Sequence, residues 1–259
     1  MKAYLTFLGC LLPAAPLLAQ PQIGGGTCSS ATLSGNYSAT LTGRDLTSSV
    51  TYSNTTEGIG LVNFDGLSKV TFTLTTNTNK ITGTAQTLSG TYSLQANCVG
   101  ILTITSGDAA SFTLVVYNTG KDYLITGQDG TYAFTGSGSV LPATCPTSLT
   151  AGAYPVNGTG FGLTSTTISG VNNLIGVIQL PGKNGIAISA SAISNTGTTT
   201  ITASGTYTLN PNCSATAILT DVAGNSYSLV FEFTSSSGAN FIFSSAAGAS
   251  LYTGSGRIL

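Results

Sequence analysis

Apolar and polar residues alternate with a period of two in several windows of this chain. The pattern is clearest in residues 70–75, 112–117 and 227–233, where Val, Leu, Phe and Tyr recur at every second position. A β-strand with one buried face has this period. Turn signals such as Asp129-Gly130 and Pro181-Gly182 separate such runs at intervals of roughly 8 to 12 residues. The pattern therefore predicts an antiparallel all-β protein.

The same pattern occurs twice, because the chain contains two copies of one domain. Five blocks return in the same order, displaced by 115 to 118 residues, and they include Cys28 with Gly35 and Tyr37, Ser89-Gly90-Thr91-Tyr92, and Cys98. We predict two tandem antiparallel β-barrels of about eight strands each, with β-sandwiches as the alternative. The predicted domains span 20–141 and 142–259, with Pro142 in the connector.

Residues 1–19 are typical of a secretory signal peptide, since Lys2 precedes a short apolar run that ends in Leu17-Leu18-Ala19. The run is too short for a membrane span and contains two prolines, so a retained anchor is the weaker interpretation. A lipoprotein cleavage site at Cys10 is a minor alternative. We expect a secreted, periplasmic or cell-surface protein with no membrane span after processing.

Composition narrows the possible functions. The chain has 41% hydrophobic and 6% charged residues, which argues against disorder, and a net charge of -1, which argues against nucleic-acid binding. Histidine is absent, so the commonest general base and metal ligand is missing and Ser-His-Asp, Cys-His and histidine-zinc sites are excluded. We predict no cofactor, no metal and no catalytic residue, and the sequence indicates no oligomeric state.

Four cysteines follow the predicted signal peptide: Cys28, Cys98, Cys145 and Cys213. Three pairings are possible, but the duplication favours Cys28 with Cys98 and Cys145 with Cys213, since each copy would carry its own bridge. The copies share no ionisable acid or base. Asp65 and Asp129 precede glycines and are interpreted as turn residues. Glu232 is expected to lie on the strand face opposite Phe231 and Phe233, in solvent.

Repeated tyrosines are the weak candidates for ligand binding: Tyr37, Tyr92, Tyr154 and Tyr207. They could line a cavity, although a repeated tyrosine is more often part of the core with its hydroxyl hydrogen-bonded.

Three segments of the first copy resemble a family of secreted bacterial domains with a calycin-like barrel of the allene oxide cyclase type. They are Gly35-Asn36-Tyr37, residues 57–66 with Phe64-Asp65-Gly66, and residues 89–98. The second copy departs from this pattern at Leu180-Pro181-Gly182. The resemblance implies an eight-stranded antiparallel barrel, and no catalytic cyclase residue carries over.

Three functional hypotheses follow. The leading one is an exported, non-enzymatic barrel protein that binds a small apolar ligand or acts as a surface or extracellular module. The alternative is a carboxylate-dependent hydrolase or cyclase-like enzyme that uses Glu57 and Asp65 of the first copy. An outer-membrane barrel is the third, favoured by a mean hydropathy of +0.32 and opposed by four cysteines and the absence of tryptophan.

Overall fold

The first half of the chain folds into a closed, eight-stranded antiparallel barrel in this computed structural model, which describes residues 27–46, 55–78, 81–82, 85–107, 109–164, 167–194, 197–245 and 250–258. Its strands are β1 (Ser34–Asp45), β2 (Thr55–Asp65), β3 (Lys69–Thr78), β5 (Gln86–Leu94), β6 (Val99–Ile104), β7 (Ala110–Tyr117), β8 (Asp122–Gln128) and β9 (Tyr132–Ser139). The two-residue β4 (Ile81–Thr82) pairs with β3. Two short 3-10 helices cover Ser30–Thr32 and Asn118–Gly120.

The second half forms another closed, eight-stranded antiparallel barrel. Its strands are β10 (Gly152–Thr164), β11 (Thr167–Gly182), β12 (Gly185–Ser194), β13 (Gly197–Leu209), β14 (Ser214–Asp221), β15 (Ser226–Phe233), β16 (Asn240–Ser245) and β17 (Ser250–Arg257). In both barrels successive strands pair with each other, and the first strand closes the ring by pairing with the last, β1 with β9 and β10 with β17. The predicted fold class is confirmed, as barrels and not sandwiches.

Each barrel encloses its own hydrophobic core, built from the alternate strand residues that the period-two pattern predicts. Phe72 and Leu114 belong to the first core, and Leu229 and Phe233 to the second. Neighbouring strands approach each other closely at repeated glycines. At Gly90 a Cβ atom would overlap the carbonyl oxygen of Thr103, and at its counterpart Gly205 it would overlap that of Ile218. The repeated Ser-Gly-Thr-Tyr element is therefore a packing requirement of the barrel wall.

Both predicted disulfide bonds are present, Cys28–Cys98 and Cys145–Cys213. Cys98 and Cys213 occupy equivalent turns and adopt left-handed backbone conformations with φ of 66° and 63°. Their carbonyl oxygens accept equivalent hydrogen bonds from the N–H groups of Val116 and Phe233. The duplication is therefore visible in the backbone as well as in the sequence.

The connection between the barrels runs from Val140 to Ala151, and Val140 still forms a bridge with Tyr37 of the first barrel. The domain boundary after residue 141 stays a prediction. The predicted signal peptide lies outside the described residues. Within the described ranges, no helix is both long and apolar enough to cross a membrane.

Each disulfide is expected to stabilise its barrel by restricting the unfolded chain. The double variant Cys28→Ser/Cys98→Ser opens a loop with a sequence separation of 70 residues. We expect it to lower the free energy of unfolding by about 4 kcal/mol in urea titrations. Cys145→Ser/Cys213→Ser, with a separation of 68 residues, should show a similar loss. A loss below about 1 kcal/mol in either variant would contradict the loop-entropy explanation.

Candidate functional site

An aromatic cluster fills the end of the first barrel nearest its disulfide. The rings of Tyr37 and Phe64 lie 5.4 Å apart between centroids, and those of Phe64 and Tyr92 lie 5.0 Å apart. Tyr123 completes the cluster, at 5.7 Å from Phe64. These edge-to-face contacts are the favourable geometry for aromatic pairs.

The tyrosine hydroxyls in this cluster are hydrogen-bonded to the main chain. Tyr37 donates to the carbonyl oxygen of Gly120 at 2.6 Å, and Tyr92 lies 2.9 Å from that of Ser30 and 3.0 Å from that of Leu33. Burial raises the pKa of Tyr92 to about 12. These two sequence candidates therefore fasten both 3-10 helix segments to the barrel end.

The two second-copy candidates, Tyr154 and Tyr207, lie beside a void of only about 10 Å³ in the second barrel. Such a void is about the size of a single water molecule or smaller. The Tyr154 hydroxyl donates to the carbonyl oxygen of Thr150 at 2.8 Å. At this position in the second barrel there is no room for an organic ligand.

The acidic residues of the first copy do not form a catalytic pair. The Oδ1 atom of Asp65 accepts backbone N–H bonds from the three residues 67–69, at 2.8 to 2.9 Å. Asp129 accepts two such bonds in its own turn. Glu57 and Asp65 lie eight residues apart on β2, so their Cα atoms are separated by roughly 26 Å. Carboxylates that flank a scissile bond lie roughly 5 to 10 Å apart.

A cavity of about 240 Å³ opens at the other end of the first barrel, where β1 ends and β2 begins. Its wall is mostly apolar: Leu41, Phe72, Leu74, Leu88, Ile104, Ala110, Phe112, Ile125 and Phe134. Polar side chains lie toward the strand ends: Thr56, Thr76, Thr78, Gln86, Asp129 and Tyr132. Gln86 is exposed, so the cavity reaches the protein surface.

Two carboxylates lie near the phenol of Tyr132, which lines this cavity. Asp45 and Tyr132 are direct partners in the β1–β9 register, and Asp129 lies three residues before Tyr132. Partial burial and the negative charges of Asp45 and Asp129 raise the pKa of Tyr132. No lysine or arginine occurs among the described residues that line the cavity.

This cavity was not predicted from the sequence, although the residue pattern of β3 indicates part of it. The inward series of β3 begins with Val70, Phe72 and Leu74 and continues to Thr76 and Thr78. An inward series that changes from large apolar residues to threonine marks a strand end that fills less of the lumen. The cavity volume itself depends on all eight strands together, which no single window shows.

The expected position of Glu232 was only half right. Phe231 and Phe233 belong to the second core, so Glu232 lies on the opposite, outer face as predicted. It is nevertheless only 3% exposed and not solvated. The reason is that β15 packs against β2 of the first barrel, which covers this part of the outer wall.

The fold and site define an all-β protein of two tandem closed barrels, the first with a ligand-sized cavity. No three His, Cys, Asp or Glu side chains come together as a metal site in the described part of the chain. No family model and no curated protein matches the sequence. The resemblance to calycin-like barrels of the allene oxide cyclase type therefore stays a prediction.

Among solved structures, the chain is similar to the crystal structure of the isotype 1 transferrin binding protein B from serogroup B Neisseria meningitidis. The sequences are 10% identical, and the match covers 88% of this chain and 77% of that chain, with a TM-score of 0.27. At this TM-score the likeness carries no functional argument.

Removing a tyrosine hydroxyl from the aromatic cluster should affect stability alone. Tyr92→Phe loses a donor shared between one buried and one partly buried carbonyl group, so we expect the free energy of unfolding to fall by about 1 kcal/mol. Tyr117→Phe, a change on the barrel surface, is the matched control and should have little effect. The affinity of Tyr92→Phe for the apolar probes 1-octanol and naphthalene, measured by calorimetry, should equal that of the unmodified protein. A loss of affinity would make Tyr92 a ligand-binding residue.

Proposed function

We propose that this protein is an exported, non-enzymatic binding protein that holds a small ligand with an apolar body in the first barrel. The observation that carries the proposal is the cavity of about 240 Å³ with its mostly apolar wall. Ligand sites are typically concave and mainly apolar, with a few polar groups that fix orientation. The mouths of small β-barrels are among the places where such sites occur.

The cavity volume sets the size of the ligand body. An apolar cavity of about 150 Å³ can bind benzene, so by proportion a cavity of 240 Å³ holds about ten non-hydrogen atoms. A longer ligand would project through the mouth. The wall supplies Phe72, Phe112 and Phe134, whose rings offer large, rigid apolar surfaces.

The polar groups near the strand ends would contact the polar end of such a ligand. Gln86 carries both hydrogen-bond donors and acceptors, and Thr76 and Tyr132 each carry a hydroxyl group. The position of these groups at one end of the cavity gives the ligand a single orientation, with the apolar part inward.

Export is part of the proposal and is supported by the two disulfide bonds, which persist in oxidising compartments. The destinations consistent with this are the periplasm, the cell surface and the medium. The enzymatic alternative has no comparable support, because Glu57 and Asp65 lie at opposite ends of β2 and Asp65 is committed to a turn.

Small apolar probes should stabilise the protein, and filling the cavity should abolish the effect. We expect 1-octanol and naphthalene to raise the melting temperature, since a ligand at 100 times its Kd adds about 2.7 kcal/mol to the stability of the state that binds it. Ala110→Leu places three further carbon atoms in the cavity and should weaken binding at least tenfold in calorimetric titrations.

The matched control is Ser111→Leu, which places the same side chain on the exposed outer face of β7. It should bind both probes as the unmodified protein does. The proposal would be wrong if neither probe stabilised the protein, or if Ala110→Leu bound them with unchanged affinity.

A further inference from the structure

Part of the outer wall of the first barrel is buried against the second barrel. Val62 and Phe64 of β2 face the first core, so by alternation Glu57 and Ile59 face outward. Glu57 is nevertheless only 1% exposed and Ile59 only 2%. The strand packs against β15, β16 and β17 of the second barrel. These residues therefore lie in a seam between the two barrels.

The second barrel contributes outward-facing residues that are equally buried. On β15 Glu232 lies opposite Ile242 of β16, and Ser244 of β16 lies opposite Thr253 of β17. Glu232 and Ser244 are both almost fully buried. At one side of the seam, Arg44 of the first barrel lies 5.6 Å from the ring centroid of Phe161.

The hydrogen bonds in the seam satisfy one carboxyl group better than the other. The Oε2 atom of Glu57 accepts a bond from the Thr42 hydroxyl at 3.0 Å, and the Thr253 side chain also bonds to this carboxyl group. By contrast, Glu232 Oε2 and Ser244 Oγ have no hydrogen-bond partner among the described residues. A buried carboxylate without partners is strongly destabilising, whereas the neutral acid is tolerated.

Few charges face these two carboxyl groups. Of the charged residues that the structure describes, only Arg44, on β1, is close enough to favour the charged form of Glu57. The described residues that β10, β16 and β17 turn toward the seam are uncharged, as is Ser214 of β14 beside Glu232. Arg257 at the end of β17 lines a groove of about 520 Å³ with Ser139 at the seam's edge. Among the described residues, one cation therefore favours the charged form of Glu57, and none favours that of Glu232.

We propose that the two barrels are held together by an acid-stabilised joint, which loosens when Glu57 and Glu232 ionise. Neutral carboxyl groups allow the outer wall of β2 to pack on β15, β16 and β17. Two negative charges in the same dry contact favour water entry and separation of the barrels, each of which keeps its own closed sheet and disulfide.

The direction of the pH effect follows from burial. Burial raises the pKa of Glu57 to about 7 and that of Glu232 to about 8, from an ordinary value of 4.5. At pH values between 4.5 and these raised pKa values, the carboxyl groups of the separated state have released protons that those of the docked state retain. Docking therefore weakens as pH rises through this range, by up to tenfold per pH unit for each carboxyl group, and levels off above about pH 8.

The test measures the distance between the barrels as a function of pH. Labels on Ser111→Cys in the first barrel and Ser189→Cys in the second lie on exposed strand positions. Energy transfer between them and small-angle scattering should report a compact chain at pH 5 and an extended one at pH 9. The double variant Glu57→Gln/Glu232→Gln should stay compact throughout, because its amides cannot ionise.

The matched control, Asp65→Asn/Asp221→Asn, removes one acid from each barrel in a turn at the strand end opposite the seam carboxyl group, and it should open as the unmodified chain does. Circular dichroism at each pH shows whether the barrels themselves remain folded. The proposal is overturned if the labelled chain keeps one distance from pH 5 to pH 9, or if the Glu57→Gln/Glu232→Gln variant opens to the same extent. It is also overturned if opening coincides with loss of strand signal.

Discussion

Closure of each eight-stranded ring is the constraint on which the rest of the structure depends. Pairing of β1 with β9, and of β10 with β17, removes the free edges of two Thr- and Val-rich sheets. It also divides every strand into residues that face a lumen of fixed width and residues that face outward. At eight strands that lumen is just wide enough for side chains to fill. The volume of the inward side chains therefore decides where a barrel is solid and where it is hollow.

In the first barrel this volume is distributed unevenly along the axis. Tyr37, Phe64, Tyr92 and Tyr123 occupy the end near the disulfide, and the hydroxyl groups of the three tyrosines donate to main-chain carbonyl oxygens. Toward the other end, β2 and β3 present only threonines and glycine to the lumen, as at Thr56 and Gly58. The aromatic end is thus closed by the residues that sequence reasoning considered for ligand binding, and the hollow end results from short side chains.

The accuracy of sequence reasoning depended on how local each feature is. The repeat and the period-two pattern predicted the strands, the Cys98 and Cys213 bridges and the outward direction of Glu232 correctly, because each follows from neighbours along one strand or from the matching copy. The burial of Glu232 could not be predicted, since it depends on contact between the outer walls of two barrels. The cavity could not be predicted from the sequence either, because its volume is what remains after residues from all eight strands have been placed.

The two barrels contact each other through non-equivalent strands. This explains why the charged residues differ between the copies while the residues that form the barrels are shared. The first barrel uses β1 and β2, and the second uses chiefly β15, β16 and β17. By strand register, Glu57 corresponds to Asn173, which is exposed, and Glu232 to Val115, which is half-buried. Such a contact is heterologous, so equivalent positions in the two copies have different surroundings. A repeated glycine or cysteine has the same structural role in both copies. A seam carboxyl group lies in the contact between the barrels in only one copy.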